Sequence, residues 1–312
     1  MPNRNVVTIG NFDGVHVGHR RILEVASALA TERAGQVIAI TFEPAPAAAL
    51  GMQPSPRLMT RAAKEQTLRE AGATKIVTLE PTRELLALSP EAFVEQLVAQ
   101  QQPAAVVEGE NFRFGAKRQG DMAMLKSLGQ QYGFDAIAID PVRAVLHDLW
   151  AMPVSSSLVR ELLSHGRVAD ATRVLGQPHR LEATVVQGEK RGRTIGVPTI
   201  NLSNDELEGA MIPYPGVYAG MAELPDGEAV PAAISVGFKP TFGEHELVIE
   251  AHLLGFTGDL YDHRATLRFG RWLRDQHPFP STELLARQLH RDIGHVRRWH
   301  ETGLLNTLPH AS

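Results

Sequence analysis

The sequence contains no cysteine. Disulfides, thiolate nucleophiles, cysteine-ligated zinc and iron–sulfur clusters are therefore excluded together. The chain also lacks any apolar run near the roughly 18–20 residues that a membrane-spanning helix needs. Its first 14 residues contain no signal-peptide core and lead directly into an apolar run. We therefore expect a cytoplasmic protein with no membrane partner.

The chain also has no large excess of charge of one sign, since it contains 31 Lys and Arg and 35 Asp and Glu. The exception is the segment 263–300, which holds eight arginines and three acidic residues. Such a segment could contact RNA. We favour a solvated helix face or a site for a phosphorylated small molecule, and we expect no nucleic-acid partner.

The first half of the chain alternates short apolar runs with longer helical patterns. Such alternation predicts a parallel sheet covered by helices on both faces, and such sheets bind ligands beyond the carboxyl ends of their strands. The predicted strands are Val6–Ile9, Gln36–Phe42, Lys75–Leu79, Ala104–Val107 and Phe134–Ile139.

After about residue 176 glycine and proline become frequent, and the apolar runs lose their helical partners. This change predicts a small antiparallel barrel or sandwich, closed by an amphipathic helix from Ser281 to about His300. At roughly 150 residues per domain the length also predicts two domains, which we place at 1–178 and 179–312. The predicted strands of the second domain are Leu181–Gln187, Gly216–Glu223, Ala229–Val236, Leu247–Leu253 and Ala265–Phe269.

A first candidate site follows the first predicted strand, where the chain reads Gly-Asn-Phe-Asp-Gly-Val-His-Val-Gly-His over residues 10–19. His16 and His19 fall on one face of a helix start, which already favours phosphate, and their rings add hydrogen-bond donors. Gly18 would let a nucleotide approach the backbone closely. The string resembles the His-x-Gly-His signature of nucleotidylyltransferases, which attack the α-phosphate of ATP and expel pyrophosphate.

Two further segments could complete this site. Gly109–Gly115, which contains Asn111, follows a predicted strand, although it could also be a tight turn with an exposed arginine. Ser156 and Ser157 open a helix, with Arg160 one turn further on. These groups could hold and neutralise a polyphosphate, although serines at a helix start are often only a cap.

A second candidate site lies in the glycine-punctuated basic stretch 186–201. It could wrap a phosphate tail, but it lacks the Gly-Lys-Ser/Thr ending of a P-loop. Thr199 and Asn201 supply oxygens suited to magnesium or phosphate. Glu250 is a single acid in an otherwise apolar strand, which suits a general base for a hydroxyl. By strand alternation the same carboxylate could equally face solvent.

Taken in order, these motifs resemble the bifunctional riboflavin kinase/FMN adenylyltransferase family, the prokaryotic FAD synthetases. The resemblance covers nearly the whole chain. The matching stretches are 10–19, 41–44, 109–115, 155–160, 175–176, 196–201, 215–218, 237–242, 250–254 and 260–261.

The resemblance implies a Rossmann-like adenylyltransferase domain followed by a six-stranded antiparallel kinase barrel. It implies that riboflavin is phosphorylated to FMN and that FMN is adenylylated to FAD with a second ATP, both with Mg²⁺. Glu250 would take the proton from the riboflavin 5′-hydroxyl, and Thr199 and Asn201 would bind the magnesium. The catalytic residues would be His16, His19, Asn201 and Glu250. The ATP- and phosphate-binding residues would be Gly10, Phe12, Asp13, Gly14, Gly18, Asn111, Ser156, Ser157, Arg160, Gly188, Lys190, Arg193, Gly196 and Thr199.

Three positions depart from the family pattern. Ala45 stands where histidine is usual, Pro153 where a basic residue is usual, and Ser157 where threonine is usual. Since the first two changes remove donors from the adenylyltransferase side only, one alternative is a kinase with weakened adenylylation. A second alternative is a flavin-binding regulator without turnover, but pure binding would not need the acid at Glu250.

Overall fold

The computed structural model describes residues 4–188, 196–240 and 245–303. The chain forms two compact units whose segments interleave along the sequence. The first comprises Met1–Ser55, Thr60–Ala144 and Ala151–Ser155, and the second comprises Pro56–Met59, Val145–Trp150 and Ser156–Ser312. No helix in the described ranges is long and apolar enough to cross a membrane.

The first unit contains a five-stranded sheet in the order β3-β2-β1-β4-β5, and all of its strand pairs are parallel. The five strands predicted from the sequence are present, with ends shifted by at most two residues. A 3₁₀ turn covers Ala116–Arg118. The elements are β1 (Asn5–Ile9), α1 (Val17–Glu32), β2 (Val37–Phe42), α2 (Pro46–Ala49), α3 (Arg61–Glu70), β3 (Lys75–Leu79), α4 (Arg83–Leu86), α5 (Pro90–Gln101), β4 (Pro103–Gly109), α6 (Met122–Tyr132) and β5 (Asp135–Ile139).

The apolar runs of the central strands form the core of this sheet. Val7 of β1 and Val106 of β4 are fully buried, and they join one cluster with Val94 of α5 and Leu125 of α6. The strand order changes direction between β1 and β4. In open parallel sheets this switch point leaves a crevice beyond the carboxyl ends of the two strands, where ligands bind.

Two short strands, β6 (Arg143–Val145) and β7 (Ala151–Pro153), form a separate two-stranded sheet. The main part of the second unit begins with α7 (Ser156–Ser164) and α8 (Val168–Leu175), which the sequence patterns did not separate from the first domain. Helix α8 packs against two strands of the following barrel. The remaining elements are β8 (His179–Val186), β9 (Ile200–Leu202), a 3₁₀ turn at Asp205–Leu207, β10 (Gly216–Glu223), β11 (Ala229–Pro240), β12 (His245–Leu253), β13 (Arg264–Arg274) and α9 (Thr282–Glu301).

Strands β8–β13 form a closed barrel in the order β10-β11-β12-β9-β8-β13, and every strand pair is antiparallel. The predicted barrel is thus confirmed. The sequence patterns missed β9 because a strand of three residues is too short to show alternation. Along β12 the buried residues Ile249 and Ala251 alternate with half-buried Glu250 and His252. Glu250 is therefore on the outer face of the barrel.

Three of the four arginines of β13 are paired with acidic residues of the same unit. Arg264 contacts Glu182 and Glu206, Arg268 contacts Glu223, and Arg274 Nη2 lies 2.9 Å from Asp292 Oδ2 of α9. The Arg274–Asp292 pair is largely buried and joins the closing helix to the barrel. Part of the arginine-rich segment 263–300 therefore stabilises the fold.

Candidate active sites

The turn between β1 and α1 places the two histidines at the start of the helix. His16 is the N-cap of α1, and its Nδ1 accepts a hydrogen bond of 3.3 Å from the backbone N–H of His19. A side chain at Gly18 would meet Val154 Cγ2 at 2.8 Å and the His16 ring at 3.2 Å. Gly18 is therefore needed for the packing of His16, in addition to any approach by a nucleotide.

The rings of His16 and His19 stack, with centroids 3.6 Å apart and an angle of 14° between their planes. Burial lowers the pKa of His16 to about 4. Burial, with a smaller effect from His16, also lowers the pKa of His19. Both imidazoles are therefore neutral at pH 7. Because His16 Nδ1 accepts the cap hydrogen bond, its proton is on Nε2, which is left as a donor.

These histidines line a pocket of about 280 Å³ at the switch point of the sheet. Buried His19 Nδ1 has no hydrogen-bond partner among the described residues. Asp13 and Gly14 belong to the turn but do not line the pocket. The predicted site residues that do line it are Gly10, Phe12, His16, Gly18, His19 and Asn111.

The remaining residues predicted for this site are distributed differently. Ser156, Ser157 and Arg160 lie in the first turns of α7, which belongs to the second unit, so their role toward ATP stays a prediction. Arg160 Nε donates a hydrogen bond of 2.7 Å to the carbonyl oxygen of Pro56. In the first unit, Ala45 precedes α2 without a side-chain cap and Pro153 ends β7, so neither supplies a side-chain donor.

On the barrel, strand pairing brings the second set of predicted residues together. Asn201 of β9 is the register partner of Glu250 on β12 and of Val186 on β8. A side chain at Gly188 would overlap with the carboxamide of Asn201, so only glycine leaves room for that group. Thr199 lies half-buried immediately before β9. The β9–β12 pair thus places a carboxylate opposite a carboxamide, and the Thr199 hydroxyl lies two residues before Asn201.

The other residues predicted for the basic loop are only partly covered by the structure. Gly196 is exposed and has a φ of +77°. Lys190 and Arg193 lie outside the described residues.

Three residues near Glu250 were not predicted. His252 Nδ1 lies 2.7 Å from the carbonyl oxygen of Pro198, and this contact holds the chain just before Thr199 against β12. Ser235 is the register partner of Glu250 on β11, and Gln276 Nε2 donates to Ser235 Oγ at 2.6 Å. Alternation from Glu250 could have placed His252 on the same face. Ser235 and Gln276 depend on strand register, which the sequence does not reveal.

The chain therefore combines two separate candidate sites, one with paired histidines in a parallel α/β unit and one with an outward carboxylate on a closed barrel. Residues 1–149 match the family model described as FAD synthetase, and residues 175–300 match the one described as riboflavin kinase. The chain belongs to the bifunctional riboflavin kinase/FMN adenylyltransferase family.

Relatives that carry this name match most of the chain. A protein of that name from Pseudomonas fluorescens is 33% identical over 294 residues, covering 94% of this chain and 92% of that protein. Its counterpart from Escherichia coli K12 is 32% identical over 293 residues, covering 92% and 90%. A solved structure described as a macrolide-efflux protein from Streptococcus pneumoniae has a TM-score of 0.86 and 28% identity, covering 96% and 95%. That description belongs to the neighbour, and it is the fold that the two share.

Proposed function

We propose that this chain phosphorylates riboflavin to FMN with one ATP and adenylylates FMN to FAD with a second ATP. The observation that carries the proposal is that one chain holds both kinds of site. A pocket lined by two neutral histidines lies at the switch point of a parallel sheet, and Glu250 pairs with Asn201 on a barrel. Membership of the family supports assigning one reaction to each.

For adenylylation, the start of α1 and the histidine pair would act on the α-phosphate of ATP. An FMN phosphate oxygen attacks the α-phosphorus, and the bond to the pyrophosphate leaving group breaks. Negative charge grows on the oxygens of the α-phosphate, and the Nε2–H of His16 can donate a hydrogen bond to it. A neutral donor fixed by its N-cap bond needs no change of protonation during this step.

For phosphorylation, Glu250 would act as the general base. It takes the proton of the riboflavin 5′-hydroxyl as the hydroxyl oxygen attacks the γ-phosphorus of ATP and ADP leaves. Asn201 lies opposite Glu250 across the β9–β12 pair, so its carboxamide can position a phosphate oxygen close to the base. The contact between His252 and Pro198 would keep Thr199 beside the same pair.

The donor set on the barrel fits magnesium. No cluster of three His, Cys, Asp or Glu side chains suited to a metal occurs in the described parts of the chain. Magnesium commonly binds through a few protein oxygens together with substrate phosphates and water. Thr199 and Asn201 would hold it in this way, and when bound it would neutralise charge on the phosphates.

The decisive experiment incubates the purified full-length protein with riboflavin, ATP and magnesium and separates the flavins by chromatography. We expect FAD, with FMN as an intermediate. Formation of FMN without FAD would indicate a kinase with weakened adenylylation. Recovery of unchanged riboflavin would indicate a flavin-binding regulator. Because both reactions consume ATP, we also propose a cytoplasmic location.

We further propose that the kinase activity resides in residues 179–312 and the adenylyltransferase in residues 1–178. About 130 residues are enough to bury a core. Since α8 packs on the barrel, the fragment 156–312 is the matched comparison. We expect both fragments to form FMN and the longer one to be more stable in urea. A folded but inactive 156–312 would argue against this division.

A further inference from the structure

A buried carboxyl group in the first unit has no role in the reactions described above. Glu108 follows a run of buried apolar residues in β4, and only 4% of it is exposed. Burying a carboxyl group in a sheet core is unfavourable unless it is hydrogen-bonded or uncharged. Its position at the end of β4, next to the switch point, puts it in the lining of the pocket that contains the two histidines.

Glu108 supplies a hydrogen-bond acceptor for the end of β1 that the backbone of β4 does not supply. The β1–β4 register ends at the pair Val7 and Val106. Successive N–H groups of a strand point to opposite neighbours, and the N–H of Gly10 donates to Ile40 on β2. The N–H of Ile9 faces the other way and donates to Glu108 Oε1 at 2.5 Å. The side chain therefore replaces the backbone acceptor where the strands separate.

A second donor converges on the same oxygen. Thr8 Oγ1 lies 3.2 Å from Glu108 Oε1. The carbonyl oxygen of an uncharged carboxylic acid can accept both bonds, with the proton on Oε2. Burial raises the pKa of Glu108 to about 8, although hydrogen bonds from Ile9, Thr8 and the backbone of Gly109 oppose the shift. The group is therefore mainly uncharged at pH 7.

The charge on this group matters because of what else lines the pocket. The titratable side chains around it are His16 and His19 on α1, Glu110 after β4 and Asp140 after β5. The described pocket lining includes no lysine or arginine. Both histidines are neutral, so an ionised Glu108 would face a triphosphate with no cation of the pocket between them.

We propose that Glu108 is a positioning residue of the adenylyltransferase step. As an uncharged acid it joins the end of β1 to β4, fixes the turn that leads to His16, and keeps negative charge away from the nucleotide phosphates. This inference rests on the proposed adenylyltransferase function of the same pocket.

The test compares FMN adenylylation across pH in wild type, Glu108→Gln, Glu108→Leu and the matched control Glu110→Gln. Glu110 is an exposed carboxyl in the same pocket lining. Wild-type kcat should fall about tenfold from about pH 7 to pH 9, as the uncharged acid is lost. Glu110→Gln should keep this fall, and Glu108→Gln should abolish it because an amide does not ionise in this range.

At pH 7 the amide can still accept from Ile9, whereas leucine leaves that N–H without an acceptor. Glu108→Gln should therefore adenylylate at least about tenfold faster than Glu108→Leu. Because FMN formation in the barrel does not report on the first unit, circular dichroism and urea unfolding of the same preparations check that each variant is folded. An alkaline fall in Glu108→Gln equal to that of wild type would overturn the proposal, as would equal rates for the glutamine and leucine variants.

A spectroscopic readout separates this inference from the proposed function. The infrared difference between wild type and Glu108→Gln at pH 7 should contain the carbonyl band of a protonated carboxylic acid, which should disappear at alkaline pH. Absence of the band would overturn the uncharged state of Glu108. Absence of FAD at every pH, with the band present, would instead count against the adenylyltransferase function alone.

Discussion

His16 and Glu108 of the α/β unit are withdrawn from solvent, whereas Glu250 of the barrel is half-buried on its outer face. His16 is 7% exposed and Glu108 is 4% exposed. Glu250 is half-buried and alternates with residues that fill the barrel core. In the first unit, the positions of His16 and Glu108 are set by the places where two strands end and a helix begins. In the barrel, the position of Glu250 follows from which residues are paired across neighbouring strands.

This difference changes how each site controls charge. In the α/β unit, burial removes charge from the histidines and from Glu108, which leaves these three side chains as neutral donors and acceptors. In the barrel, Glu250 keeps partial contact with solvent, as a base that must exchange protons requires. The two sites should therefore respond independently to mutation.

The largest expected effect is on the barrel. Glu250→Gln should lower FMN formation about 10³-fold, because the isosteric amide keeps the shape and loses the basicity of the carboxylate. Conversion of added FMN to FAD should remain. Steady-state assays of both reactions at saturating ATP test this. The control is Ser235→Ala, which changes the register partner of Glu250 on β11. Its rate of FMN formation should fall far less. An active Glu250→Gln kinase would remove Glu250 from the role of base.

The reverse pattern is expected for the α/β unit. His16→Ala or His19→Ala should lower FMN adenylylation by about 10²–10³-fold, since each variant removes a preorganised group beside the reacting phosphate. FMN formation should continue, so FMN should accumulate. Arg21→Ala, on an exposed position of the same helix, is the control. A loss below about threefold in both histidine variants would mean that they only start the helix.

A smaller effect should follow from crowding Asn201. In Gly188→Ala the new methyl group must displace the Asn201 carboxamide, whose Nδ2 is the nearest atom to the place that a Cβ would take. A shift of this kind should lower riboflavin phosphorylation up to about 10²-fold without affecting adenylylation. Gly294→Ala is the matched control, because nothing lies within 4 Å of a Cβ there. Equal kinase rates in both variants would contradict the assigned position of Asn201.

The smallest effect concerns acid stability of the barrel. Buried His179 Nε2 lies 2.8 Å from the Met211 carbonyl oxygen, and burial lowers the pKa of His179 to about 4. A histidine whose pKa is lower in the folded than in the unfolded state contributes its full stability at pH values above the unfolded pKa. This stability is lost as the pH falls toward the folded pKa. The free energy of unfolding should therefore drop by about 2 kcal/mol from about pH 7 to pH 5 because of His179.

Urea unfolding of wild type and His179→Gln at both pH values measures this drop. The free energy of unfolding of the variant should fall less between pH 7 and pH 5 than that of wild type. The exposed control His290→Gln should show the same fall as wild type. An unchanged loss of unfolding free energy in His179→Gln would assign that loss to other groups, of which His16 and His19 are the first candidates.

Local patterns were enough to predict most of the strands and the two motifs. The apolar runs predicted β1 to β5 within two residues, and residues 10–19 identified the histidine pair. Patterns of this kind depend on neighbours along the chain, which fix helix starts and strand alternation. The division of the chain at residue 178 stays a prediction, since the periodicity of α7 and α8 does not reveal which unit they pack against.

By itself the sequence determined the fold class, the order of the two units and the residues able to carry chemistry. Only the tertiary structure decided that Glu250 meets Asn201 and Ser235, that Gly188 makes room for a carboxamide, and that Glu108 replaces a backbone acceptor. Each of these depends on strand register or on burial between distant segments. Helix and strand propensities act over a few residues, whereas register and burial are fixed only when the whole sheet or barrel closes.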